Sequence, residues 1–169
     1  LLVDSFRTEN LLAVSYKKAK ENPLVDLCIE AYNKELLNKQ DTSVYSSIKK
    51  IEVTNNIADI VAQLKPSKNN VVFIPNSNQT DLTSLFGYLI TTLNKRDYKD
   101  YRITIIGLEE WLQYENIDLD YYQRLNVHFC STQYTNDNDS LTSVFIDNYI
   151  NSKSVYPTDH TLLGYDVGY

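Results

Sequence analysis

The chain has 169 residues, 43% of them hydrophobic and 22% charged, which suits one globular domain with an ordinary core and leaves little room for a second. A formal net charge of -6 and a pI near 4.9 repel polyanions, and the lysine pairs Lys17 with Lys18 and Lys49 with Lys50 are scattered without aromatic interleaving, so nucleic acid is not an expected partner. No apolar run approaches the roughly 20 residues of a membrane helix, the start lacks a signal pattern, and the lack of methionine predicts a processed or excised piece of a longer protein.

Residues 1–10 carry no clear period, and LLAVSY at 11–16 predicts a first core strand. Asn22 and Pro23 supply an N-cap and a first helical position. Val25, Ile29, Tyr32 and Leu36 then recur at helical spacing, with Leu24, Leu27, Cys28 and Ala31 widening the apolar face. Ile48, Ile51 and Val53 predict a second, less buried strand. Asn56 caps a helix carrying Ile57, Ile60, Val61 and Leu64, which Pro66 closes. VVFIP at 71–75 reads as a strand covered on both faces. The clearest helix follows, with Leu82, Leu85, Phe86, Leu89, Ile90 and Leu93 behind the capping candidates Asn78 and Thr80. YRITIIG at 101–107 is a buried strand that Gly107 is expected to stop; an acidic, aromatic segment runs from there through Tyr122. LNVHFC at 125–130 is a fifth strand, and a last helix is expected to bury Leu141, Val144, Phe145 and Tyr149.

Strand and helix alternate five times with short connections. That pattern predicts an α/β fold: a doubly wound three-layer sandwich around a mostly parallel five-stranded sheet. The strands would end on a common edge formed by Tyr16, Thr54, Asn76, Gly107 and Ser131, where open α/β sheets place their ligand crevices.

Few residues invite catalysis. Gly87, Gly107, Gly164 and Gly168 form no phosphate-cradling loop. His128 lies in an apolar strand and His160 in a loop, neither with a spaced partner. Cys28 and Cys130 lack metal-knuckle spacing and read as two free, largely buried thiols, with one disulfide as the alternative in an oxidising compartment. Asp137, Asn138 and Asp139 lack the glycine and distal glutamate of a calcium loop. Asp118 and Asp120 facing one way on an extended segment would be an acid pair. No metal or cofactor is expected. Binding candidates sit on the carboxyl edge. Tyr16 and Tyr134 offer aromatic and hydroxyl groups there, or simply anchor loops. Asn76 and Ser77 follow one central strand, and Glu109 and Glu110 follow its neighbour. The two carboxylates either meet a ligand or form the acidic first turn of a short helix over a packed Trp111.

The order of motifs resembles the second lobe of type I periplasmic binding proteins, the receptors for branched-chain amino acids. The similarity runs through LLAVSYKKAKENPLVDLCIEAYNKELL, IADIVAQLKPSKNNVVFIPNSNQTDLTSLFGYL and YRITIIGLEEW. Gly107, Leu108 and Glu109 match the family's Gly-x-Glu, and Phe145, Tyr149, Pro157 and Gly164 to Asp166 its closing segment. Where the family often has Tyr-Gly opening the lobe's first helix, this chain has Asn22 and Pro23. The resemblance implies a Rossmann-like lobe over residues 1–169, with its core at 10–151 and a segment at 152–169 leading back toward a second lobe. It implies a binding protein of the periplasm or cell envelope, with no catalysis, whose small ligand, such as an amino acid, has its ammonium held by Glu109. Two other classes stay open: an envelope interaction module with the same fold and no transported ligand, and an α/β enzyme domain. A phosphorelay receiver is disfavoured because Tyr16 and Ser131 hold the strand ends where it needs an acidic cluster and a lysine.

Overall fold

Five runs rich in β-branched and aliphatic residues form a single sheet: β1 (Asn10–Tyr16), β2 (Ile48–Val53), β3 (Asn69–Phe73), β4 (Arg102–Leu108) and β5 (Val127–Cys130). The computed structural model describes residues 5–16, 19–39, 42–53, 56–130, 140–158 and 161. Thr54, Ser131 and Tyr134, expected at the carboxyl edge, lie outside them, as do Asp137 to Asp139, His160 and Gly164 to Asp166. The strand order is β2-β1-β3-β4-β5, and every neighbouring pair is parallel. Helices between the strands are α1 (Asn22–Leu37), α2 (Ala58–Val61), α3 (Gln79–Leu93) and α4 (Leu119–Arg124); α5 (Ser140–Lys153) follows β5. The chain divides into two compact units, Leu1–Cys130 and Ser131–Tyr169.

Alternation along each strand sends side chains to two different cores, the periodicity of a pleated sheet covered on both sides. On one face Leu12, Val14, Val72, Ile74, Ile103 and Ile105 pack with Ile60, Leu82, Leu85, Phe86 and Leu89 of α2 and α3. On the other, Leu11, Val71 and Ile106 pack with Tyr32 of α1. The sheet thus has helices on both faces, a doubly wound Rossmann-like arrangement. Its amino edge is held by amides. Asn70 is fully buried, accepts from Asn10 Nδ2 (2.8 Å) and Lys65 N–H (2.7 Å), and donates to the carbonyls of Arg102 (2.8 Å) and Lys65 (3.0 Å).

Several local expectations are corrected. Gly107 does not stop its strand, because β4 runs through it to Leu108; the residue is small for a packing reason given below. Asn22 opens α1 without capping it, and only Val25 and Tyr32 of that helix are buried, while Leu24 and Leu27 are 41% and 58% exposed. On that face only Leu11, Val71 and Ile106 of the sheet are buried with Tyr32, so a wide apolar stripe outruns the surface that meets it. Asp118 and Asp120 form no acid pair: Asp118 caps α4 by accepting from the Asp120 N–H (2.9 Å), and Asp120 pairs with Arg124 at 3.5 Å. Both thiols are free as expected, yet Cys28 is half-buried and Cys130 exposed, since β5 is an edge strand whose outward residues, His128 included, meet solvent. In α5 the buried residue is Ile146, with Leu141 and Val144 exposed and the rings of Phe145 and Tyr149 5.9 Å apart.

Candidate functional site

The chain goes from β1 outward to β2, then returns to the other side of β1 for β3, so the direction of winding reverses between β1 and β3. In open parallel sheets the loops on either side of such a reversal diverge and leave a crevice at the strands' carboxyl ends. Tyr16 ends β1, and Asn76 and Ser77 follow β3, so three of the expected site residues flank this switch point.

Asn22 braces the end of β1, accepting from the Tyr16 N–H through Oδ1 (3.1 Å) and donating from Nδ2 to the Tyr16 carbonyl (2.6 Å). A side chain that pairs with both backbone groups of a strand end is spent on shape, which is why it gives α1 no cap. The Tyr16 ring packs against the larger core, and its buried hydroxyl has no hydrogen-bond partner among the described residues. Burial, and secondarily the negative charge of Asp81, push its pKa well above the usual phenol range; the Asn76 side chain is close enough to temper the shift but not in hydrogen-bonding geometry.

After β3, Asn76 is buried and committed to structure. Its Oδ1 accepts from the Asn78 N–H (2.8 Å), and its Nδ2 donates to Asp81 at 3.4 Å. Asn78 in turn caps α3, accepting from the N–H groups of Thr80 (3.0 Å) and Asp81 (3.1 Å), so these amides are not open to an anion. Ser77 is the meeting point. Its hydroxyl donates to the Glu21 carboxylate, and its carbonyl accepts from Tyr114 OH (2.8 Å).

The β4 side supplies the third wall. Glu109 and Glu110 are exposed in the first turn of a 3-10 helix (Glu109–Gln113), with Trp111 fully buried beneath. The indole lies on Gly107: a β-carbon there would come within 2.1 Å of the ring. Phe86 and Phe129 meet it edge-on at 5.6 and 6.3 Å, its Nε1 donates to the Asn76 carbonyl (2.8 Å), and Tyr122 OH donates to its own carbonyl (2.8 Å). This ring ties the loop after β4 to the loop after β3. Burial, then the negative charges of Glu110 and Glu21, raise the pKa of the Tyr114 phenol.

The structure therefore joins Ser77 to Glu21 and Tyr114, sets Tyr16 beside Asn76, and leaves Glu109 and Glu110 exposed on the same edge. Glu21, Asn22, Asp81 and Tyr114 were not legible as site residues. Glu21 sat in an undistinguished polar run, and only its nine-tenths burial, against an 85% exposed Lys20 at 3.8 Å, sets it apart. Acceptor oxygens and phenol hydroxyls dominate the edge, a composition suited to hydrogen-bonding a small polar molecule. Among the described residues no group of three or more histidines, cysteines or carboxylates could hold a metal ion, and no helix is long and apolar enough to cross a membrane.

The fold and this edge define a doubly wound α/β domain with a polar carboxyl edge at its switch point. No protein-family model, curated protein or solved structure matches the chain.

Proposed function

We propose that the chain is a ligand-binding lobe of a cell-envelope receptor of the type I periplasmic binding protein kind, taking a small polar ligand such as an amino acid and performing no chemistry on it. The supporting observation is the meeting of three loops, after β1, β3 and β4, at Glu21, Ser77 and Tyr114 on the switch-point edge. A second lobe would cover the ligand's other side, so this wall alone leaves much of a ligand wet and binds it weakly. Glu109 and Glu110 offer charge-assisted hydrogen bonds to an ammonium group.

Calorimetry of the full-length receptor against amino acids, sugars and short peptides tests the reading. With an amino-acid ligand in hand, Glu109→Gln is expected to weaken binding at least tenfold with the fold intact. Unchanged affinity would remove Glu109 from the site, and turnover abolished by one carboxylate substitution would favour an enzyme instead.

One observation favours a second reading, an envelope interaction module without a transported ligand. Asn76, Ser77, Trp111 and Tyr114 spend polar groups on one another, which leaves fewer for a ligand. A silent calorimetric screen of the full-length protein, together with capture of an envelope partner that Glu110→Lys abolishes, would select this reading.

A further inference from the structure

The opposite edge of the sheet has the opposite charge. The loops leading into β3 and β4, with the first residue of β4, carry Lys65, Lys68, Lys95, Arg96, Lys99 and Arg102, all exposed and none in an ion pair among the described residues, against Asp97 and Asp100. This concentration is hidden in a chain whose net charge is -6. Parallel pairing explains it: Asn69 of β3 stands beside Arg102 of β4, which sets the two preceding loops side by side.

Between those loops lies an open groove of about 320 Å³ lined by Ser67, Lys99, Asp100 and Arg102. One wall is fixed. Ser67 has a φ of 62°, a left-handed conformation that disfavours a β-carbon, and its N–H donates to the Asp100 carbonyl (3.2 Å) across the groove. Such backbone strain in a residue other than glycine clusters where a loop's shape serves binding. Lys68 reaches back to the Thr8 carbonyl (2.8 Å), leaving Lys99 and Arg102 as the cations that border the space.

We propose that this groove binds an oxyanion, the phosphate or carboxylate group of a ligand, with the Arg102 guanidinium and the Lys99 ammonium as charged donors and the Ser67 hydroxyl as a neutral one. A planar guanidinium pairs two of its N–H groups with two oxygens of either group, and an ammonium adds a point charge. Asp100 opposes them, which keeps binding weak and reversible. The site is independent of the polar carboxyl edge.

Thermal unfolding of the full chain in sodium phosphate or sodium succinate, against sodium chloride at equal ionic strength, tests the proposal. A saturable rise in Tm is expected, about 5 °C or more once the oxyanion exceeds its Kd a hundredfold. The K99Q/R102Q variant should lose the rise and D100N should enlarge it, with circular dichroism showing both folded. A response to phosphate alone assigns a phosphate-bearing ligand; a response to succinate alone assigns a carboxylate. An equal rise in chloride, a rise without saturation, or one that survives in K99Q/R102Q would overturn the site and reduce the effect to general screening.

Discussion

Replacing Gly107 by alanine tests the frame that holds the carboxyl edge together. The new methyl would sit 2.1 Å from Trp111, a fully buried ring that is held by Phe86, Phe129 and its own bond to the Asn76 carbonyl. The indole cannot yield a few tenths of an ångström; it must leave its place. Overpacking in a closed core costs about 1–3 kcal/mol. Losing the Nε1 bond while the Asn76 carbonyl stays buried adds about 1 kcal/mol, and disturbing two edge-on ring pairs adds about 1 kcal/mol more. The expected loss is therefore about 3–5 kcal/mol, a large part of the roughly 5–15 kcal/mol that holds a domain folded. Trp111 is the only tryptophan, so its fluorescence reports on this one place. Urea titration followed at the indole should show an earlier midpoint, and emission from the folded variant should shift to the red. Trp111→Phe removes the larger ring, and in that background Gly107→Ala should cost less than half as much, read by far-ultraviolet circular dichroism. Wild-type stability and emission in Gly107→Ala, or equal costs in the two backgrounds, would refute the account.

Asn70→Ala should destabilise by about 2–4 kcal/mol in urea, because a buried side chain loses four hydrogen bonds to Asn10, Lys65 and Arg102; a loss under 1 kcal/mol would show the amide network to be replaceable. Tyr16→Phe deletes a buried hydroxyl that has no partner among the described residues, so stability should hold or rise by about 1 kcal/mol, and a marked fall would reveal a bond to that oxygen. The alkaline limb follows from the same burial. Tyr16, Tyr32, Tyr114 and Tyr122 all have phenol pKa values raised above 10.0, each chiefly by burial. Raised folded values mean that the unfolded chain loses these protons first, so their contribution is whole below pH 10 and is lost as pH rises above it. Thermal scans should show Tm falling steeply beyond pH 10, and less steeply in Tyr16→Phe; a flat profile to pH 12 would contradict the burial argument.

How much of this was legible in the residues differs from element to element. The run IKKIEV reads as a strand with the bounds it adopts, Ile48–Val53, and of the two capping candidates before the helix carrying Leu82, Leu85, Phe86 and Leu89, Asn78 is the cap. Period and capping are local, so the chain itself carries them. The parallel doubly wound sheet followed too, since strands joined through helices with short connections have little other way to pair. The short helix Leu119–Arg124 was missed. Its aromatic, acidic composition has weak helical propensity, the Asp118 cap is its one local signal, and the bond from Tyr122 OH to the Trp111 carbonyl is a contact that only the fold supplies.

Site composition was half visible for the same reason. Tyr16, Asn76, Ser77, Glu109 and Glu110 could be placed at strand ends by counting, because a strand's end is a sequence position. That Asn76 is buried and spent on the turn leading into α3, that Ser77 receives Glu21 and Tyr114 from two other loops, and that Gly107 is small to admit Trp111 depends on which strands become neighbours. The lysines and arginines at the amino edge likewise fall in two separate clusters, at 65–68 and 95–102, which come together only when β3 and β4 pair. Local periodicity determines the elements; long-range pairing, through burial and desolvation, decides which of their polar groups remain available to anything else.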